Sequence, residues 1–355
     1  MSKINKTFLR KRLLSAASVF YAGFLFFTAA CASGPQTAAP SWARNVEAVY
    51  PRAAYIAQRG EGATRKEAEL AALGAISFYF ESEINAEESS RQSWTEQNGI
   101  TNTESRTETS TLVQSQTRLV AVRYAEDPWH NPGTRLWETV AFIDREEAWT
   151  VYDPEAAKVR DRLLALSSAA EAESEPFTRA LRFGAAAGYG ESAEFNAVRG
   201  FAQALYPAKA QTLFAEADRI RSTLPERIDS ARRSATVFID CPTDLDTLIY
   251  RAMAAALGAE GFPVERNRNA ASCVCLVRVD EGIQKIESGT FYNPSLTGTV
   301  NGRAGAVFSF TAKAPRQSAI NPDVAKRRAY TTLASALGEA FTGELNRRRA
   351  SYGEP

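Results

Sequence analysis

Tyr55–Phe80 reads YIAQRGEGATRKEAELAALGAISFYF, and the fold expectation grows from this stretch. Tyr55-Ile56-Ala57 has strand character and is closed by Gly60-Glu61-Gly62. Thr64-Arg65-Lys66-Glu67 is a capping box, in which the hydroxyl and the carboxylate each satisfy a backbone N–H of the first helical turn. Ala68, Ala71, Ala72, Ala75, Ile76 and Tyr79 then recur at helical spacing. Side chains this small let a helix lie close against a sheet. Downstream, Glu83–Ser110 is polar and reads as a long loop or the solvated start of a strand. Thr101 onward alternates like an exposed strand, Asp127–Gly133 is a turn by composition, and Thr134–Asp144 is the returning strand. On it Trp137, Thr139, Ala141 and Ile143 share one face, and Val140 and Phe142 the other. The first unit, residues 41–154, is expected to be a helix on a small antiparallel sheet.

Upstream of it, Met1–Arg12 carries five basic residues and no acid, and LLSAASVFYAGFLFFTAA at 13–30 carries no charge. The run ends in Thr28-Ala29-Ala30-Cys31. A basic start, an apolar run and small residues at the end are the parts of an export signal. A cysteine directly after two small residues resembles a bacterial lipoprotein signal, with Thr28 where that signal usually has leucine. The resemblance implies that residues 1–30 are removed and Cys31 is lipidated. Ordinary secretory cleavage remains open, as does a retained helix, because the run is just long enough to span a hydrocarbon core. All three place the rest of the chain outside the cytoplasm. Residues 31–40, small and proline-bearing, read as a flexible tether. Ala32 stands where the common sorting rule retains lipoproteins at the inner membrane by an aspartate, which implies the outer membrane, facing the periplasm; the inner membrane and the cell surface are the alternatives.

The whole chain of 355 residues has a net charge of +1, so removing the five cations of the leader leaves −4. That balance argues against nucleic acid, which needs a basic face. It also argues against electrostatic adhesion to lipid, so the membrane partner is reached through Cys31. Two lipid chains suffice for stable attachment.

Residues 155–234 are rich in Ala, Glu, Arg and Leu and read as a helical connector of two or three helices, broken at Gly184–Gly190, Pro207 and Pro225. Leu163, Leu166 and Ala170 form one apolar stripe; Leu213, Ala217, Ile220 and Leu224 form another. Residues 235–346 alternate strand and helix signals. ATVFID is a strand, Thr243–Asp246 caps a helix that stops at Gly261-Phe262-Pro263, and ASCVCLVRVDEGI, ESGTFYN and TVNGRAGAVFSFTAKA are strands. Asn321-Pro322-Asp323 opens a closing helix. This is a two-layer α/β sandwich, followed by a tail at 347–355. By pattern it resembles small periplasmic partner-binding domains. The fold class expected for the chain is α+β.

Pro40-Ser41-Trp42, Tyr55-Ile56, Gly60-Glu61-Gly62 and Glu67-Ala68-Glu69 together resemble the opening of the lipoprotein-twenty family of envelope lipoproteins, over about residues 41–154. The resemblance implies an envelope protein and carries no catalytic residue. A lone GxG with no phosphate-loop lysine reads as a strand-to-helix turn.

Candidate chemistry is sparse. There is no GxSxG or HExxH, and the one histidine, His130, sits on a turn. Asp240, Asp244 and Asp246 are candidates for acid/base or metal-binding carboxylates, but two of them are better explained as helix N-terminal charges favoured by the dipole. Cys273 and Cys275 fall on one face of a strand. The three cysteines beyond Cys31 are either buried thiols or one free thiol plus a bridge from Cys241 to Cys273 or Cys275. No metal site is expected, because no second Cys or His pair completes one. No cofactor is expected. The function expected is structural or assembly work through binding other envelope proteins, without catalysis. A lipoprotein binding cell-wall or carbohydrate fragments through Trp94, Trp129 and Trp137 is the alternative. A paired-carboxylate hydrolase comes third, since its acids can be distant in sequence.

Overall fold

The computed structural model describes residues 38–95, 122–287, 289–303 and 305–354. Cys31, the tether up to residue 37 and the expected strand after Thr101 as far as 121 lie outside them. The architecture is α+β.

Strand β1 (Tyr55–Gly62) and helix α3 (Arg65–Thr95) form the first contact, preceded by two short helices, α1 (Ser41–Arg44) and α2 (Val46–Val49). The capping box is formed. Glu67 N–H donates to Thr64 Oγ1 at 3.2 Å, and Glu67 Oε2 accepts from Ala63 N–H at 2.9 Å and Thr64 N–H at 3.2 Å. The buried row of α3 is Ala68, Ala72, Ile76, Phe80 and Ile84, a strict i, i+4 series, while Ala71 is exposed. The alanines bring the helix so near the strand that a Cβ on Gly60 would overlap Ala68 O and Ala72 N, and one on Gly62 would lie 2.6 Å from Ala68 N. The helix continues to Thr95, through residues 83–95 that composition assigned to a loop or the start of a strand.

Strand β4 (Trp137–Asp144) is the centre of an antiparallel sheet in the order β1-β4-β2, with β2 at Arg123–Tyr124 and the short β3 (Trp129–His130) also on β4. Its two faces part as the alternation requires. Ala141 and Ile143 join the main core under α3, and Val140 and Phe142 join a small core with Trp42, Tyr50, Ala57 and Trp129.

Asp144 ends β4 and caps helix α4 (Arg145–Ala172), accepting from Glu146 N–H and Glu147 N–H, both at 3.0 Å. This helix runs through the 154/155 boundary that composition suggested, with Pro154 inside it. Helices α5 (Pro176–Gly190), α6 (Ala193–Leu205) and α7 (Pro207–Ser234) follow, so the connector holds four helices rather than two or three. Gly184 does not break α5. Its Cβ would lie 2.8 Å from Arg349 Nε, so it clears room for a side chain of the last helix. Pro207 sits in the first turn of α7, where its missing N–H costs nothing.

The last unit has a five-stranded sheet, β11-β10-β7-β5-β6, with β5 at Val237–Asp240, β6 at Val264–Glu265, β7 at Cys273–Asp280, β10 at Ser295–Gly302 and β11 at Gly305–Lys313. Strands β5, β6 and β7 are parallel; β7, β10 and β11 are antiparallel. The TVNGRAGAVFSFTAKA stretch is the turn-containing half of the β10–β11 hairpin rather than one strand, reversing between Gly302 and Gly305 (φ 134°). A small second sheet runs β12-β9-β8, with β8 at Ile283–Ile286, β9 at Gly289–Tyr292 and β12 at Gln317–Ser318. Helix α8 (Leu248–Ala259) is capped by Asp244, which accepts from Ile249 and Tyr250 N–H at 3.0 and 2.9 Å; it stops at Gly261 (φ 79°). Helix α9 (Pro322–Gly353) takes in most of the expected tail. One face of the large sheet is buried, with Phe341 of α9 lying 5.7 Å from Phe308 and 5.5 Å from Phe310, ring centre to ring centre.

The main core is continuous from Ile56 to Leu345. At the first seam, Arg145 is buried and makes no ion pair among the described residues. Its Nε donates to Arg52 O at 2.9 Å and its Nη1 to Ala204 O at 2.9 Å and to Leu205 O. The last two are end carbonyls of α6, where unpaired C=O groups and the helix dipole favour a cation. At the second seam, Glu175 caps α5 through Phe177 N–H (3.2 Å) and Thr178 N–H (2.5 Å) and accepts the Cys273 thiol at 3.0 Å. A Cβ on Gly302 would lie 2.7 Å from Glu175 Cγ, so the end of β10 is bare there for a reason. Phe177 stacks on Phe262 at 4.3 Å.

Two substitutions test this packing. Gly60→Val is expected to cost about 3 kcal/mol, because added volume meets backbone, whereas Gly74→Ala, where a Cβ meets nothing within 4 Å, gains about 0.5–1 kcal/mol; urea midpoints check both. Arg145→Met strips the α6 carbonyls of their donor and is expected to cost about 3 kcal/mol, with equal midpoints for variant and parent as the refuting result.

Candidate interaction site

The residues singled out by sequence scatter. Asp240 pairs with Arg268 at 2.9 Å and Asp246 with Arg327 at 3.0 Å, while Asp244 is the α8 cap described above. His130 is exposed on β3, with its ring 5.4 Å from that of Trp137, edge to face. Trp94 belongs to the part of α3 whose side chains lie outside the described residues. Trp129 is built into the small core beside Trp42, so its ring is committed to packing.

Cys273 and Cys275 point to the buried face of β7, and Cys241 follows β5 half-buried; all three are free thiols. Burial pushes each up to about 12. The hydrogen bond to Glu175 adds to this at Cys273, the charges of Asp244 and Asp240 at Cys241, and the neighbouring Cys241 at Cys275. Thiols held this far above the ordinary value are poor nucleophiles and poor metal ligands at neutral pH.

Glu138 is a carboxylate that pattern reading passed over. It is 1% exposed as the second residue of β4, ion-paired with Arg59 of β1 and accepting a hydrogen bond from Asn131 Nδ2 at 2.7 Å. It ties the Trp129–Arg135 turn to two strands, so its role is to fix that corner. An acid in an otherwise apolar strand was the available signal.

The surface that stands out is the outer face of α3. Phe78 is 70% exposed and Leu70 57%, and Gly74 between them is exposed with open space where a Cβ would be. Leu70, Gly74 and Phe78 follow at i, i+4 and i+8, so they form one stripe two turns long. They lie away from the buried Ala68–Ile84 row. Scattered exposed apolar residues are ordinary, but a large aromatic and a leucine flanking a bare glycine make a flat apolar strip suited to another helix. Reading the alanines as the one stripe of α3 hid this second one.

No protein-family profile matches the chain, and no curated protein matches it either. Among solved structures, a candidate lipoprotein from Caulobacter crescentus CB15 is 13% identical, covering 36% of this chain and 97% of its own, with a TM-score of 0.26. A minor lipoprotein from Acinetobacter baumannii is 15% identical over 32% of this chain and 95% of its own, with a TM-score of 0.23. The secreted protein HP1454 from Helicobacter pylori is 10% identical over 81% of this chain and 97% of its own, with a TM-score of 0.28. Scores of this size mark local overlap and define neither fold nor role. Among the described residues, no helix is long and apolar enough to cross a membrane.

Buried thiols predict a pH dependence. Folded, each holds its proton up to about 12; unfolded, it releases it near the ordinary value of 9.0. Below pH 9 both states keep the proton and the contribution is constant. Above pH 9 the unfolded state loses protons that the folded state keeps, so stability falls by up to about 1.4 kcal/mol per pH unit for each thiol. Cys275→Ala should flatten the fall in urea midpoint between pH 9 and 10.5 relative to the parent; identical slopes would show that Cys275 is not buried as described.

Proposed function

We propose that the chain is a lipid-tethered protein of the bacterial cell envelope that acts by binding other envelope proteins, without catalysis. The observation that carries the proposal is Thr28-Ala29-Ala30-Cys31 behind an uncharged run and a basic start. Lipid on Cys31 and a tether to residue 40 set the folded part at a membrane face, the periplasmic face of the outer membrane by the identity of Ala32. The Leu70–Gly74–Phe78 strip supports protein contact as the mode of action. The lipoprotein-twenty-like opening fits the same reading: Trp42 anchors the small core, and Gly60 and Gly62 permit the strand-to-helix contact.

The test is metabolic labelling with a palmitate analogue in a bacterial host, followed by detergent partitioning. The full chain should carry label and enter the detergent phase, and Cys31→Ala should do neither. An unlabelled parent chain recovered from the soluble cell interior refutes the tether. With the tether established, Phe78→Lys should abolish crosslinks to envelope partners while leaving the fold intact; an unchanged crosslink pattern refutes the α3 strip as the contact.

A further inference from the structure

β11 is the outermost strand of the large sheet, so among the described residues one side of its backbone has no strand partner. From Gly305 to Ala312 it carries neither charge nor proline, and Lys313 is its first charged residue. Long edges are normally blunted by charge, proline or bulges, or are covered; β11 carries one bulge, at Val307 opposite Val300 and Asn301, and its ladder is regular from Phe308 to Lys313. Beside the edge runs α9. Between them lies an open groove of 460 Å³ lined by Ser309, Phe310 and Thr311 on the strand and by Glu339, Gly343 and Arg347 on the helix.

Both walls of the groove are nearly self-complementary. Counted outward from Ser309, Phe308 mirrors Phe310 within the regular ladder, and the bulged Val307 mirrors Thr311. Counted outward from Gly343, Glu339 mirrors Arg347. The two centres, Ser309 and Gly343, line the same groove. We propose that the chain forms a twofold dimer in which β11 pairs antiparallel with β11 of a second copy, continuing the sheet through both.

A twofold axis between opposed Ser309 residues produces this pairing, because antiparallel ribbons carry such axes perpendicular to the sheet. The axis also sets the two α9 helices side by side, running in opposite directions and closest at Gly343. Glu339 of each copy then faces Arg347 of the other, twice. Two features of the single chain fit this arrangement. A Cβ on Gly343 would meet nothing within 4 Å, so nothing inside the chain requires glycine in mid-helix, whereas a close helix crossing does. Glu339 is exposed and makes no ion pair among the described residues, and Arg347 pairs only with Glu344 three residues before it, mostly in solvent, a weak contact that exchanges readily. The hydroxyl of Ser309 bonds Thr299 at 3.1 Å on the open face of the sheet, so it does not obstruct the edge.

The test uses the full chain solubilised in detergent, with molar mass from light scattering. The parent should be a dimer. Glu339→Arg and Arg347→Glu each place like charges together twice across the axis and should weaken the dimer about tenfold or more, and the double variant should restore it. Ser309→Cys should form a covalent dimer under mild oxidant, since opposed Cα atoms in an antiparallel pair lie about 4.5–5.5 Å apart, within disulfide reach. Ser222→Cys, exposed on α7, should not. Circular dichroism melts confirm that each variant is folded. A monomeric parent, a double variant no tighter than either single one, or Ser309→Cys that crosslinks only to a different protein would overturn the proposal.

Discussion

A buried guanidinium held by backbone carbonyls, with no ion pair among the described residues, constrains this molecule most. Arg145 is 9% exposed, and its guanidinium is held by backbone carbonyls, two of them at the end of α6 and one at Arg52. Such a cation is tolerable only if every donor finds an acceptor. That requirement fixes the start of α4, the end of α6 and the approach to β1 at one point. Asp144, one residue earlier, caps the same helix, so the last residue of β4 and the first of α4 together bind the antiparallel sheet to the helical layer. At the far seam Glu175 does comparable work with a carboxylate, joining the α5 N-terminus to the Cys273 thiol beside the bare Gly302.

Local signals carried much of the fold into view. The capping box, the Asp244 cap, the Gly261 stop and the Asn321-Pro322 start are each decided within a few residues, and each stands where composition placed it. The two faces of β4 follow from period-two alternation alone. Boundaries were legible only where chemistry changed. Residues 83–95 are polar yet helical. Gly184 reads as a breaker but serves Arg349, a residue far away in sequence. The β10–β11 reversal was hidden because Gly302, Arg303 and Gly305 sit inside an otherwise strand-like run.

The candidate surfaces were less legible than the fold, for a physical reason. An exposed apolar residue is recognised only after the buried face of its element is known. Leu70 and Phe78 become informative once Ala68, Ala72, Ile76 and Phe80 are seen to face the sheet. Likewise Glu138 and Arg145 look like surface charges in one dimension, and their burial follows from strand order and helix packing that no short window contains. The cysteines are the intermediate case: alternation put Cys273 and Cys275 on one face, and the sheet supplies the burial that holds their protons.

One continuous core and two polar seams join the antiparallel sheet, the helices and the large sheet, so the folded part is expected to unfold as one cooperative body. Equilibrium urea unfolding, followed in parallel by near-ultraviolet circular dichroism of the tryptophans, which all lie at or before Trp149, and by hydrogen exchange in β7 and β10, tests this most directly. The continuous core and the two polar seams predict coincident transitions with one midpoint. A tryptophan transition separated from the loss of protection in β7 and β10 would contradict it.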